Sequence, residues 1–189
     1  MDYLHQPKTA DVVLYTDLDG VLQHEAVLWH HRRGIYMCPR QAPGRVLFEW
    51  AHYLEEAVRP WPDVRLVLSS TWCIRPGFGR TMKRLPDELR SRYIGGTFHR
   101  GLYAHDPRAL ESFRAKPRGV QVCEDVRRRR PRQWLALDDD LVGWPTEALE
   151  NLVPCDGATG LSSVAVRAEL QAKLMRCHDA LAGASNDAD

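Results

Sequence analysis

The sequence predicts a three-layer α/β protein, in which a mostly parallel sheet is covered by helices on both faces. Short apolar segments with strand character alternate with segments of helical period, and polar clusters follow three of the strands. Strands that alternate with helices are joined by right-handed crossovers, which give a parallel sheet. No internal repeat or low-complexity linker divides the chain. We therefore expect one domain over residues 1–189, with a core at about 10–182 and a flexible tail at 183–189.

In the first part of the chain, two strands flank an irregular excursion and a helix. Val12–Tyr15 is a short β-rich apolar run, as in a buried strand. Residues 22–44 mix polar and aromatic residues without a clean period, which indicates a long excursion or flap. The segment 45–58 has apolar residues at helical spacing and ends before Pro60. These apolar residues are Val46, Leu47, Trp50, Leu54 and Val58. The second strand is expected at Val64–Leu68.

The second part of the chain is predicted to continue the alternation. Residues 79–94 have helical character, and Pro86 restarts the helix rather than lying inside it. Residues 95–116 show no pattern that assigns them. A helix is expected at 117–130, with terminal arginines that suit the helix dipole. The remaining elements are strands at Trp134–Leu137 and Asn151–Cys155, and a helix from Ser162 or Ser163 as N-cap to about Leu181.

Composition and charge are those of an ordinary globular protein. Hydrophobic residues make up 44% of the chain, and a net charge of +1 gives no global attraction to nucleic acid or membranes. No apolar run approaches the roughly 20 residues of a membrane span, and Met1–Gln6 lacks the order of a signal peptide, so a cytoplasmic location is expected. The five scattered cysteines form no C-x-x-C pair, which predicts buried free thiols. The local run Arg127–Arg132 is either a solvated helix end or a nucleic-acid contact.

Polar clusters follow three predicted strands. They are Asp17 with Asp19, Ser69 with Ser70, and Asp138 with Asp139. In an open parallel sheet the carboxyl ends of the strands lie along one edge, where ligands bind. Crowded carboxylates repel one another unless a cation lies among them or some are protonated. All-oxygen donors favour a hard ion, and a site completed by phosphate and water favours Mg²⁺ over Ca²⁺.

The order of these elements resembles that of the haloacid dehalogenase (HAD) superfamily of phosphohydrolases. The resemblance covers roughly residues 12–140. It rests on Asp17-Leu18-Asp19-Gly20-Val21 after a hydrophobic strand, a hydroxyl residue after the second strand, a downstream lysine, and Asp138-Asp139 after the last strand. More narrowly, Ser69-Ser70-Thr71-Trp72 and the segment 134–140 resemble the HAD-type domains of bacterial and phage proteins linked to RNA repair. A Rossmann-like (HAD-like) fold is implied.

The resemblance also implies roles for the four aspartates. Asp17 would be the nucleophile, which forms an aspartyl-phosphate and contacts Mg²⁺ through its other oxygen. Asp19 would protonate the leaving oxygen and later activate water, and its backbone carbonyl would bind the metal. Asp138 would be a direct metal ligand. Asp139 would be a second ligand or hold a bound water.

For each of the two groups expected to contact the phosphate, the sequence leaves two nearby residues as candidates. Ser69 comes first after the apolar strand, whereas Ser70 has the better spacing to Trp72 and is slightly favoured. Lys116 suits the position of the family's lysine, and Arg118 is close enough to replace it. A cation is needed here because an anionic carboxylate that attacks an anionic phosphate faces repulsion.

We therefore expect a Mg²⁺-dependent phosphatase that hydrolyses a phosphate monoester, with a nucleotide or a nucleic-acid end among the candidate substrates. The alternative is a non-catalytic, phosphate-sensing or partner-binding domain of receiver type, which would not need the acid/base Asp19. The segments between strands leave room for a small cap or none, so the site should admit bulky substrates. Residues 29–33 would lie on the flap near its entrance, as a solvated loop or as a substrate contact.

Overall fold

The strands and helices come from a computed structural model that describes residues 8–103 and 106–186. The strands in these ranges are β1 (Val12–Thr16), β2 (Val27–His30), β3 (Gly34–Met37), β4 (Arg65–Leu68), β5 (Tyr93–Gly96), β6 (Gln133–Asp138) and β7 (Leu152–Pro154). The α-helices are α1 (Ala51–Val58), α2 (Phe78–Met82), α3 (Asp87–Arg92), α4 (Arg100–Tyr103), α5 (Pro107–Ala115), α6 (Arg118–Arg129) and α7 (Val164–Asn186). The sequence interpretations of Met1–Gln6 and of the tail at 187–189 lie outside the described residues.

The central sheet has the order β5-β4-β1-β6-β7, and its paired strands run parallel. β1 lies in the middle and is buried along its whole length. A strand covered on both faces needs apolar side chains at every position, which explains the unbroken run Val12–Tyr15. The predicted α/β fold class is confirmed.

Alternate residues of β1 point into two separate cores, because successive side chains of a strand face opposite sides. Leu14 packs with Leu54 of α1 and Leu170 of α7. Tyr15 packs with Val122 of α6 on the other face. Helices therefore cover both faces of the sheet, as the sequence predicts.

The helix predicted at 45–58 is shorter than expected, since α1 begins at Ala51. Phe48 has a φ of 61°, which a right-handed helix does not allow, and its N–H donates to Gln23 Oε1 over 2.8 Å. Val46, predicted to face the core, is 60% exposed. Residues 45–50 thus belong to the irregular segment before α1, and the prediction of a helix at these residues is wrong.

Four further segments differ from the sequence prediction or were left unassigned by it. The excursion 22–44 contains the antiparallel hairpin β2–β3, whose residues are mostly half-buried or exposed and therefore lack a clear alternation. Tyr93 and Ile94, read as the end of a helix, begin β5. The unassigned stretch holds the end of β5, α4 and α5. Residues 183–186 continue α7 rather than forming a separate tail.

Two sequence-based expectations concern cysteines and membranes. All five cysteines are free, and all but the half-buried Cys123 are buried, as expected. Within the described ranges, no helix combines the length and the apolar character needed to span a membrane.

The arginine run at the end of α6 has a structural role that the sequence did not reveal. Arg129 is 1% exposed, and its Nε lies 2.5 Å from Asp125 Oδ2. The fully buried Asp125 also accepts from Tyr15 Oη at 3.1 Å and from Arg128 Nη2 at 3.0 Å, and its Oδ1 lies 2.5 Å from His99 Nε2. A solvated helix end is thus the wrong description for the middle of the run.

The outer members of the run are different. Arg127, Arg130 and Arg132 are exposed. Arg130 ends α6 in the left-handed conformation, with a φ of 53°. Contact between these arginines and nucleic acid remains a prediction.

We predict that Asp125→Asn lowers the free energy of unfolding by about 3 kcal/mol, because it leaves Arg128 and Arg129 without their buried counter-charge. Denaturant unfolding at pH 7 measures this loss. Asp179→Asn, an exposed position on α7, is the matched control and should change stability little.

The difference in unfolding free energy between wild type and Asp125→Asn should depend on pH. Burial raises the pKa of Asp125, but the hydrogen bond from His99 and the charge of Arg129 outweigh it, so the net pKa is lowered from 3.8. A lowered folded-state pKa gives stability that is present above pH 3.8 and is lost as the pH falls through the folded value. The stability gap between wild type and Asp125→Asn should therefore narrow below about pH 4. A gap that is constant or grows on acidification would contradict this assignment.

Candidate metal centre and phosphate site

The two main acidic segments lie side by side because β1 and β6 are neighbours in the sheet. Thr16 pairs with Leu137, and the N–H of Asp17 donates to Leu137 O over 3.0 Å. Asp17 thus follows β1 at the level where Asp138 ends β6. One oxygen from each of Asp17, Asp138 and Asp139 lies within 4.8 Å of the others. The convergence expected from the sequence is therefore present.

Gly20 makes room for this cluster. Its φ of +73° lies in the left-handed region that favours glycine. A Cβ at this position would approach Asp139 Oδ2 to 2.1 Å. The glycine after the second aspartate therefore allows both the turn and the position of Asp139.

The electrostatics of the cluster favour a bound cation. Burial, followed by the charge of Asp17, raises the pKa of Asp138. The same two causes, in the same order, raise the pKa of Asp139 to about 7. The buried Asp138 Oδ2 accepts no hydrogen bond from the residues that the structure describes. A carboxylate cluster with an oxygen left unsatisfied fits a hard divalent ion, which would remove the cost of crowding these charges.

Asp19 is outside this trio and is held in a different way. Its Oδ1 accepts from Gln23 Nε2 at 2.6 Å, and its Oδ2 accepts from Trp72 Nε1 at 2.9 Å. The N–H of Phe48 donates to Gln23 Oε1, which directs the amide donor towards Asp19. Burial and then the charge of Asp17 raise the pKa of Asp19 to about 6. A positioned carboxyl with a pKa near neutrality is suited to give and take protons.

Arg118, and not Lys116, reaches the acidic cluster. Arg118 Nη2 lies 3.4 Å from Asp17 Oδ2, its Nε lies 3.7 Å from Asp138 Oδ2, and its side chain is 12% exposed. Burial lowers the pKa of Arg118, but Asp17 and Asp138 raise it by more, so its net pKa is raised and it stays charged. Lys116 Nζ instead contacts both carboxylate oxygens of Glu124, at 2.7 and 2.8 Å.

The start of α6 is fixed in place by close packing. A Cβ at Gly119 would come within 2.6 Å of the Trp144 ring, and one at Gly143 within 2.7 Å of Pro117. Trp144 Nε1 donates to Asp140 O over 2.9 Å. These contacts tie the first turn of α6, which carries Arg118, to the loop after Asp138.

The two serines after β4 have different surroundings. Ser70 Oγ accepts from the Trp72 N–H at 3.5 Å, and Ser70 lines a cavity beside Asp19. The N–H of Ser69 donates to Thr16 O over 2.8 Å, which continues the sheet. The buried Ser69 Oγ has no hydrogen-bond partner within residues 8–103 and 106–186. Both hydroxyls remain candidates for a phosphate contact.

The cavity beside Asp19 has a volume of about 450 Å³ and reaches Arg118. The hairpin β2–β3 contributes part of its wall, including Trp29. The first strand of the flap predicted from the sequence therefore borders the site, while His31, Arg32 and Arg33 are exposed.

Three residues that support the site were not identified as such from the sequence. Gln23 and Trp72 hold Asp19, although Trp72 belongs to a segment already singled out. Glu25 is a further carboxylate near the cluster, and its charge contributes to the raised pKa of Asp139. A Cβ at Gly157 would meet both acids, at 2.2 Å from Glu25 Oε2 and 3.0 Å from Asp139 Oδ2. Only spatial proximity could reveal Gln23 and Glu25.

Comparison with known proteins identifies the family of the chain. The family model described as the HAD domain in Swiss Army Knife RNA repair proteins matches residues 13–166. The match spans the sheet from β1 to β7 and includes Asp17, Asp19, Arg118, Asp138 and Asp139. No curated protein and no solved structure matches the chain. Since the matched residues make up most of the 189-residue chain, the protein belongs to the family of HAD domains of Swiss Army Knife RNA repair proteins.

Proposed function

We propose that this protein is a Mg²⁺-dependent phosphatase that removes a terminal phosphate from a nucleic-acid strand through an aspartyl-phosphate on Asp17. Membership of the HAD family supports a phosphohydrolase in general. The main observation for the mechanism is that the Asp17 carboxylate lies both in the acidic cluster and 3.4 Å from Arg118 Nη2. The family description, which names RNA repair proteins, supports a nucleic-acid substrate.

The side chains of Asp17, Asp138 and Asp139 would hold the metal, together with the backbone carbonyl of Asp19 as the family resemblance implies. These donors are all oxygens, which suits Mg²⁺. Bound Mg²⁺ would supply positive charge that polarises the phosphoryl group and offsets its repulsion from Asp17.

Asp17 acts first, as the nucleophile. The Leu18 N–H donates to Asp17 Oδ1 over 2.6 Å and so fixes the orientation of the carboxylate. In the first step a carboxylate oxygen attacks phosphorus, and the bond from phosphorus to the leaving oxygen breaks. Asp19, in its protonated form, gives its proton to that oxygen, which leaves as an alcohol.

Asp19 then acts as a base in the second step. It takes a proton from water, whose oxygen attacks the phosphorus of the aspartyl-phosphate. The bond from Asp17 to phosphorus breaks, which releases inorganic phosphate and restores the Asp17 carboxylate. The two hydrogen bonds from Gln23 and Trp72 hold Asp19 in place through both steps.

Arg118 and a serine complete the phosphate site. The guanidinium of Arg118 offers several N–H donors at a fixed geometry, which suits a phosphoryl group with charge spread over its oxygens. Either Ser69 or Ser70 would donate its hydroxyl hydrogen to a phosphate oxygen.

The position of Asp19 argues against the receiver-type alternative. A domain that stores a phosphoaspartate gains from a slow second step, and an acid/base close to the nucleophile works against that. Asp19 is held by two side chains beside the nucleophile, as a positioned acid/base would be.

We predict that Asp17→Asn abolishes Mg²⁺-dependent turnover of p-nitrophenyl phosphate, because an amide cannot act as the nucleophile. Asp19→Asn should lower steady-state turnover by about 10²- to 10⁴-fold, as expected for the loss of an acid/base. It should also leave a burst of p-nitrophenol, since this leaving group needs no proton to depart. Stopped-flow absorbance separates the burst from the steady state.

The matched control for both variants is Asp140→Asn. Asp140 is exposed, follows the cluster in sequence and keeps an oxygen for its hydrogen bond from the Val142 N–H. Turnover by Asp140→Asn should stay within about twofold of wild type, because a substitution at an exposed position usually has little effect. Equal turnover by Asp17→Asn, Asp19→Asn and wild type would contradict the proposed mechanism.

We predict that Mg²⁺ raises the melting temperature of the wild-type protein and not that of Asp138→Asn, because a ligand stabilises the folded state to which it binds. In the presence of EDTA, Asp138→Asn should be at least as stable as wild type, since one repelling carboxylate has been removed. Calorimetry with and without Mg²⁺ measures both effects. An equal Mg²⁺-induced shift in the two proteins would exclude Asp138 as a ligand.

We predict that Arg118→Ala lowers kcat/KM by 10²-fold or more, whereas Lys116→Ala lowers it by less than about threefold, because only Arg118 reaches Asp17. Turnover of p-nitrophenyl phosphate at saturating Mg²⁺ tests the comparison. A larger loss of kcat/KM in Lys116→Ala than in Arg118→Ala would indicate that Lys116, and not Arg118, contacts the phosphate.

A further inference from the structure

We propose that the cavity beside Asp19 is a nucleotide subsite, in which Trp29 stacks on the unpaired base next to the scissile phosphate. In this subsite Arg75 and Arg114 bind phosphate groups of the adjoining strand. The inference rests on the proposed function and deepens it, because it names the residues that would bind the base and the adjoining phosphates of the strand end.

The first argument is the position of Trp29. It lies on β2 opposite Ile35, and both residues line the cavity that contains Asp19 and Arg118. The Trp29 side chain is 47% exposed. A partly exposed aromatic ring at the wall of a cavity that is also lined by Asp19 and Arg118 is available for stacking. Stacking on an aromatic ring holds any unpaired base without reading its sequence.

The second argument is the way in which Arg75 is held. Its guanidinium carbon lies 3.5 Å from the centre of the Trp29 ring. Stacking orients the guanidinium plane and leaves its N–H edge available to an anion. Unlike Arg45 and Arg59, which pair with glutamates on or near α1, Arg75 has no carboxylate within 4.0 Å among residues 8–103 and 106–186.

The third argument is the number of cations around the cavity. Arg114 on α5 lines it too, is exposed and has no ion pair within the described part of the chain. In the proposed function Arg118 and the metal would serve the scissile phosphate, so Arg75 and Arg114 would be in excess for a ligand with a single phosphate. A strand end, which carries further phosphodiesters, would match this charge.

The cavity also suits one nucleotide at a time. Its volume of about 450 Å³ lies within the range of roughly 300–1,000 Å³ that is usual for small-molecule pockets. Much of its wall is apolar, from Leu28, Ile35, Ile74 and Phe113. An apolar wall with cations at defined points is suited to a base and its neighbouring phosphates.

The test compares substrates that share a scissile phosphate. kcat/KM is measured for 5′-phosphorylated and 3′-phosphorylated tetraadenylate RNA, for adenosine 5′- and 3′-monophosphate, and for p-nitrophenyl phosphate. At the phosphate position that the wild type hydrolyses faster, we expect a preference for the tetranucleotide over the mononucleotide of about tenfold or more. Trp29→Ala and Arg75→Gln should each reduce this preference several-fold.

Two variants serve as controls. Trp29→Phe keeps an aromatic ring and should retain most of the preference. Arg80→Gln removes the same charge from an exposed position on the neighbouring helix α2 and should leave the preference unchanged. A wild type that shows no preference, or variants that lose the same factor on every substrate, would overturn the subsite.

A binding measurement separates this inference from the catalytic proposal. The Asp17→Asn protein is titrated into a phosphorylated tetraadenylate that carries a fluorophore at its other end, at several salt concentrations. Adding Arg75→Gln should weaken binding and reduce the slope of log Kd against log salt by about 0.7. If wild type does not hydrolyse p-nitrophenyl phosphate, the proposed function fails. Binding that is unaffected by Trp29→Ala and Arg75→Gln overturns the subsite in either case.

Discussion

The structure depends on one electrostatic constraint, which is that the carboxylates of Asp17, Asp138 and Asp139 lie within 4.8 Å of one another in a mostly buried place. Such a group is unfavourable by itself, because each charge is poorly solvated and repels the others. The raised pKa values of Asp138 and Asp139 express this cost. A cation among the carboxylates would offset this repulsion. The parallel pairing of β1 and β6 brings the acids together.

The surrounding architecture supports this crowded edge with close packing and fixed hydrogen bonds. Gly20 leaves the space that Asp139 occupies, and Gly119 lets Trp144 pack against the first turn of α6. Near the other end of α6, the buried Asp125 contacts Tyr15 of β1 and His99, which ties this end of the helix to the sheet and to the segment after β5. Because both ends of this helix are fixed, Arg118 is held near Asp17 without the freedom of a solvent-exposed cation.

The sequence predicted the parts of the fold and site that depend on local pattern. The strands at 12–15, 64–68, 134–137 and 151–155 correspond to β1, β4, β6 and β7, since buried parallel strands carry continuous apolar residues. The hairpin β2–β3 and the strand β5 were missed because half-exposed positions and two glycines hide their period. The sequence could not decide between Lys116 and Arg118, because the decision depends on which carboxylate each side chain contacts. The contact between Lys116 and Glu124 could not be predicted from the spacing of these residues.

The charges of this molecule are segregated locally, although its net charge is close to zero. A net charge of +1 indicates no particular partner, yet the acids gather at the ends of β1 and β6 while Arg75, Arg114 and Arg118 line the adjoining cavity. The two regions meet at Asp19, which lines the cavity and lies two residues from Asp17. Under the proposed function, an anionic strand would be attracted to the arginines and repelled by the acids until a metal was bound, since screened charges act over about 10 Å. In that proposal the arginines would orient the substrate, and the approach of its phosphate to Asp17 would depend on the metal.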